Sequence, residues 1–138
     1  MSKKTFVIFG LLVLVLAVLI PWLAFRADGD PEAGGLQVAP GLEAGQSMFQ
    51  TNCGNCHALY AAGTDGNFAP DLDVLLAPSG PPSGDTAQQT IEATKGRVLN
   101  AIENGVDSTE PGRMPGGILS GQQAEEVAEF VAQTAGRG

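Results

Sequence analysis

From Phe6 to Phe25 the chain reads FVIFGLLVLVLAVLIPWLAF, 20 consecutive residues without a charge. Wound as a helix at about 1.5 Å per residue, such a run is roughly 30 Å long, the thickness of a bilayer's hydrocarbon core. The sequence therefore predicts a transmembrane anchor over 5–26. Lys3 and Lys4 precede it and every acidic residue lies from Asp28 onward, so the positive-inside rule assigns 1–4 to the cytoplasm and the rest to the outer, periplasmic side. Trp22 falls where an interfacial aromatic is expected. A cleaved signal peptide starts the same way, but it ends in a small-x-small cleavage site. Phe25 and Arg26 occupy the positions such a site needs, and no cysteine stands there for lipid attachment. Both readings export the remainder of the chain.

The exported part is acidic. After Arg26, four basic residues stand against all 15 acidic ones, a net −11. Such a surface lacks the basic footprint that nucleic acid requires. The whole chain has 138 residues with 19 Gly, 9 Pro and only 6% aromatics, so side chains alone would fill a poor core.

Residues 27–41 (ADGDPEAGGLQVAPG) carry no helical apolar period and read as a flexible linker. Three helical patterns follow within 42–138. Leu42, Gly45, Phe49, Cys53 and Cys56 form a stripe at three- and four-residue steps; Ile91, Lys95, Val98 and Ile102 form a second, with Gly105 as its stop. A third opens with Ser120 and Gln123 at capping-box spacing, carries Ala124, Val127, Ala128 and Val131 on one face beside Phe130, and ends at Gly136. A short helical turn is expected around Leu72–Leu76. Residues 77–86 (APSGPPSGDT) read as an irregular surface excursion. No alternating pattern of useful length argues for strands, so the exported domain is expected to be all-α.

Cys53-Gly54-Asn55-Cys56-His57 has the C-x-x-C-H spacing of covalent haem c attachment. On a helical turn, residues i and i+3 share a face, so both thiols can bond the two vinyl groups of one porphyrin while His57 aims at the iron. The motif uses both cysteines and the only histidine. Structural zinc would lack a fourth Cys or His ligand, a thioredoxin-like pair would lack its βαβ context, and a plain disulfide would leave His57 unexplained.

With one histidine, bis-His ligation within the chain is excluded. Of the methionines, Met1 precedes the apolar segment and Met48 shares the helix that leads into the motif. Met114, in a Gly-Arg-Met-Pro-Gly-Gly loop, remains as the sixth ligand and gives the soft His/Met pair of high-potential haems. Lys95 is the alternative.

These residues together resemble a class I cytochrome c: the Gly45…Phe49…Cys53-x-x-Cys56-His57 helix, Ala69-Pro70-Asp71-Leu72, the Met114-Pro115 loop, and a terminal helix bearing Phe130. The resemblance implies three to four helices around a covalent haem c, here preceded by the anchor. It also implies a close crossing of the first and last helices at Gly45, Phe49 and Phe130, and a Pro70 carbonyl accepting from His57 Nδ1. The family's tryptophan near a haem propionate has no counterpart, since Trp22 is in the anchor; Tyr60, Arg97 and Arg113 are candidates for that contact.

Iron closed by His57 and Met114 implies single-electron transfer rather than catalysis. The expected role is a carrier between, or subunit of, respiratory or photosynthetic complexes, with a quinol-oxidising complex, a terminal oxidase or a reaction centre as partner. A haem-based gas or redox sensor, or a peroxidase-like protein with displaceable Met114, is the alternative.

Overall fold

The computed structural model describes residues 3–26, 37–107 and 112–138. The chain divides into two units, Met1–Glu32 and Ala33–Gly138. In the first, helix α1 runs unbroken over Lys3–Arg26, and its side chains at 7–20 are all exposed. Among the described residues no helix is long and apolar enough to cross a membrane. The side chains described in α1 are those of Lys4 and 7–20, a stretch shorter than a hydrocarbon core. The side chain of Trp22, and 27–36 of the expected linker, lie outside the described residues.

The second unit holds four helices, α2 (Glu43–Asn52), α3 (Leu72–Leu76), α4 (Ala87–Asn104) and α5 (Gln122–Thr134). Short 3-10 turns cover Tyr60–Ala62 and Gly84–Thr86. It also holds two strands the sequence did not lead us to expect, β1 (His57–Leu59) and β2 (Thr64–Asn67), paired antiparallel. Three and four residues are too few to show a period of two. The pairing comes instead from the tight reversal at Tyr60–Ala62, which ends at Gly63 in the left-handed region (φ 66°). Thr64 Oγ1 closes the hairpin by donating to the His57 carbonyl at 3.1 Å and accepting from Leu59 N at 3.1 Å.

The core is the face where α2 and α4 pack on α5. Phe49, Leu59, Val127, Phe130 and Val131 are its largest buried apolar side chains. Phe49 and Phe130 meet with ring centroids 6.1 Å apart and planes tilted by 59°, a favourable edge-on arrangement. Gly45 makes this crossing possible. A Cβ there would stand 2.7 Å from Phe130 Cβ and closer still to the Glu126 carbonyl oxygen, so only glycine lets the backbones approach. Across the other contact, Lys95 of α4 pairs with Glu129 of α5 at 2.6 Å.

Two expectations need correction. Helix α2 stops at Asn52, so the cysteines occupy a following turn rather than the helix itself. Ser120 does not cap α5: the N-cap is Gly121 at φ 56°, with no side-chain cap bond, because the chain enters the helix through a glycine turn. Within the stretch read as linker, Val38 packs against the core. The irregular 77–86 stretch is ordered; a Cβ on Gly136 would meet Ala77, Gly80 and Pro81, so it packs against the end of α5.

Candidate haem site

The cysteine turn inherits its shape from α2. Cys53 N bonds the Phe49 carbonyl at 2.8 Å, and the Cys53 carbonyl accepts from Cys56 N at 3.0 Å and His57 N at 2.9 Å. One more turn of helical bonding thus continues past the helix end and keeps the i, i+3 relation of the two thiols. They are not joined in a disulfide; Cys53 is half-buried and Cys56 exposed. Burial, and secondarily the neighbouring Cys56, pushes the Cys53 thiol up to about 11, so without its thioether it stays protonated at neutral pH.

Behind the turn runs β2. A Cβ on Gly66 would come within 2.5 Å of the Cys56 carbonyl carbon and 2.7 Å of His57 N, so glycine here lets the strand lie flat against the motif. Sequence reasoning passed over Gly66, since a lone glycine in a loop-like stretch carries no spacing signal.

His57 opens β1, and its Nδ1 lies 2.7 Å from the Pro70 carbonyl oxygen. A carbonyl only accepts, so Nδ1 carries the proton and the lone pair resides on Nε2, the nitrogen left for a metal. Pro70 is placed in turn by the start of α3, where the Asp71 carboxylate accepts from Asp73 N (2.8 Å) and Val74 N (3.4 Å), a side-chain N-cap.

Met114 is set by glycine contacts at the end of α4. Gly105, at φ 77°, terminates that helix, and Val106 N then bonds the Met114 carbonyl at 3.0 Å in an isolated antiparallel bridge. A Cβ on Gly105 would lie 2.6 Å from that carbonyl oxygen, and one on Gly116 would meet the Glu103 and Asn104 backbone. Gly117 N reaches the Ile102 carbonyl at 2.8 Å. The 112–117 loop is therefore pressed onto the C-terminal turn of α4, with the half-buried Met114 side chain packed on the core.

Lys95 is taken by Glu129. Arg113 pairs with Asp107 at 2.9 Å on the surface, and Arg97 lines a shallow groove on α4 with Gln89, Thr90, Ala93 and Thr94. Tyr60 is half exposed. Among the described residues, no group of three or more His, Cys, Asp and Glu side chains is arranged to hold a metal ion.

The donor set suits a haem: two thiols one turn apart, an adjoining imidazole with Nδ1 already engaged, and a thioether on a braced loop. The apolar surroundings suit it too. Phe68 (63%) and Val74 (66%) are strongly exposed, and Leu75, Val106 and Ile118 also face outward, surface that a flat apolar macrocycle can cover. The Phe68 ring sits 2.8 Å from where a Gly112 Cβ would project, linking the segment after β2 to the Met114 loop.

No curated protein matches the chain at a significant level. A family model described as cytochrome c matches residues 42–135, spanning the motif, the Pro70 segment, the Met114 loop and α5. The cofactor is haem c, held covalently through Cys53 and Cys56. With the match running over more than half its length, from the residue before α2 to the one after α5, the chain belongs to the cytochrome c family of haem electron-transfer proteins.

Proposed function

We propose that this chain is a membrane-anchored mono-haem cytochrome that carries single electrons on the outer, periplasmic side of a cell membrane, with His57 and Met114 as the axial ligands. The observation that carries the reading is the hydrogen bond of His57 Nδ1 to the Pro70 carbonyl, which presents Nε2 as the metal-binding atom and raises its basicity. When bound, haem c supplies an iron that alternates between Fe(III) and Fe(II). His57 is fixed at Nδ1, and Met114 is fixed through its own backbone, so two ligands on braced elements leave little to reorganise.

The anchor reading rests on the uncharged stretch Phe6–Phe25 and on α1, which is apolar all round and exposed at every side chain from 7 to 20. The acidic exported domain suits a redox partner with a basic docking face, and the partner class is a quinol-oxidising complex, terminal oxidase or reaction centre. A reduced-minus-oxidised visible spectrum of membranes containing the chain, before and after carbon monoxide, tests this. A sharp c-type α band that carbon monoxide leaves unchanged is expected; a spectrum shifted by the gas overturns the closed His/Met site and favours a sensor or peroxidase-like protein. Recovery of the haem in the soluble fraction after cell disruption overturns the anchor.

A further inference from the structure

Three hydrogen bonds join the segment 56–60 to the segment 69–73 at one constant offset of 13 residues. Ala69 N donates to the Cys56 carbonyl at 2.9 Å, His57 Nδ1 meets the Pro70 carbonyl at 2.7 Å, and Tyr60 N donates to Asp73 Oδ2 at 2.8 Å. The last is the only one made by an acidic side chain, and that carboxylate has a second partner: Asp73 Oδ1 accepts from Gly136 N at 2.7 Å, 63 residues along the chain. One half-buried carboxylate on the helix that follows Pro70 thus ties that helix to the turn directly after the strand that begins with His57 and to the residues just past α5.

We infer that Asp73 is a positioning residue for the haem ligand: it locks α3 onto the β1 segment and so holds the Pro70 carbonyl on His57 Nδ1. The inference rests on the assignment of His57 as ligand above. The reasoning is mechanical. Pro70 stands just before the N-cap of α3, and its carbonyl follows that helix. Among the described hydrogen bonds between the two segments, loss of the Tyr60–Asp73 rung leaves the two at the near end, one of which is the bond to His57 itself, so beyond them α3 is kept on the β1 segment by apolar packing of Leu72 and Leu76 alone. A weaker bond there makes the imidazole less basic and disfavours Fe(III), so the reduction potential rises.

The test uses the full-length holoprotein in detergent and two variants, Asp73→Ala and Asp73→Asn. Both remove the same negative charge, but the asparagine oxygen still accepts one of the two N–H groups. Two quantities are read: the reduction potential at low and high salt, and the solvent exchange of the hyperfine-shifted His57 Nδ1 proton by NMR. Asp73→Ala is expected to speed that exchange roughly tenfold, the protection given by one hydrogen bond of ordinary net strength. It should also raise the potential beyond the Asp73→Asn value by a margin that salt does not screen. Ala128→Gly, which destabilises α5 without changing charge, should lower the melting temperature and move neither quantity. If Asp73→Ala does not fold, Asp73→Asn against wild type carries the test, with faster exchange expected. Unchanged exchange together with equal, salt-screened potentials in both variants overturns the role of Asp73 alone. A wild-type protein whose His57 protons carry no hyperfine shift overturns the ligand assignment and this inference with it.

Discussion

At the scale of single residues, the two proposed axial ligands are held by different means. His57 is fixed through its side chain by the Pro70 carbonyl, whereas Met114 is fixed through its backbone, by Val106 N and by the glycines that admit its loop. Replacing the Met114 side chain should therefore leave the loop in place. Met114→Ala is expected to retain covalent haem, to lower the reduction potential as the soft ligand is lost, to open the iron to carbon monoxide, and to cost about 2 kcal/mol, the low end for truncating a methionine that is only half-buried. Potentiometry and a carbon monoxide titration check this; an unchanged spectrum and potential would show that another group closes the site. The motif and its ligand candidates were legible because C-x-x-C-H is a local pattern and the methionines are few. Gly66 and Asp73 were not, since what each does depends on backbone brought close from 9 to 63 residues away, and nothing in the flanking sequence marks such a partner.

Between elements, the crossing of α2 with α5 and the pairing of α4 with α5 set the frame. Gly45→Ala would gain about 1 kcal/mol of helix propensity, yet its methyl must displace the Glu126 carbonyl and Phe130, and overpacking of this kind costs about 1–3 kcal/mol. A net loss of up to about 2 kcal/mol is expected in chemical denaturation of the holoprotein; equal midpoints would mean the helices can slide apart freely. The Lys95–Glu129 pair adds a pH-dependent increment. Its hydrogen bond to Lys95, helped by Gln133, holds the Glu129 carboxyl below its ordinary value against burial, and the bond to Glu129 raises Lys95 above its own. The depressed carboxyl contributes stability that is lost as pH falls through its folded value; the raised ammonium contributes stability lost as pH rises through its own. Between those limits the pair is worth no more than about 1 kcal/mol, being partly exposed. Thermal unfolding of wild type and Glu129→Gln should differ by that amount near neutrality and converge in acid and in strong base; a constant difference would assign the effect to packing. The helices themselves were readable because α4 keeps its apolar period up to Gly105 and α3 occupies the short apolar turn after Pro70. The hairpin and the true N-cap of α5 were not, for both are made by glycine turns whose backbone angles leave no hydrophobic period.

For the whole molecule, the unusual quantity is what residues 42–138 leave uncovered. Tyr60, Phe68, Val74, Leu75, Val106 and Ile118 are exposed, while among the described residues the buried set contains only two large aromatic rings, Phe49 and Phe130. Fully covering a fully exposed apolar side chain of this size is worth about 1.5–3 kcal/mol, and these six start between 37 and 66% exposed, so covering all of them under haem would supply roughly 5–9 kcal/mol. Domains are stable by only about 5–15 kcal/mol in total. A haem seated over these residues would complete the core of this aromatic-poor domain as well as carry the electron. The double variant Cys53→Ala/Cys56→Ala, which cannot form thioethers, should accordingly lose the fixed packing of 42–138 while α1, a separate unit, is unaffected. Limited proteolysis of the full chain in detergent, with fragments mapped by mass, reads this directly. Cleavage spread through 42–138 in the variant, against cleavage confined to loop positions in the holoprotein, is the expected result. An identical fragment pattern, with a cooperative melting transition at the holoprotein's temperature, would show that the helices and hairpin close a sufficient core by themselves and that haem contributes only its chemistry.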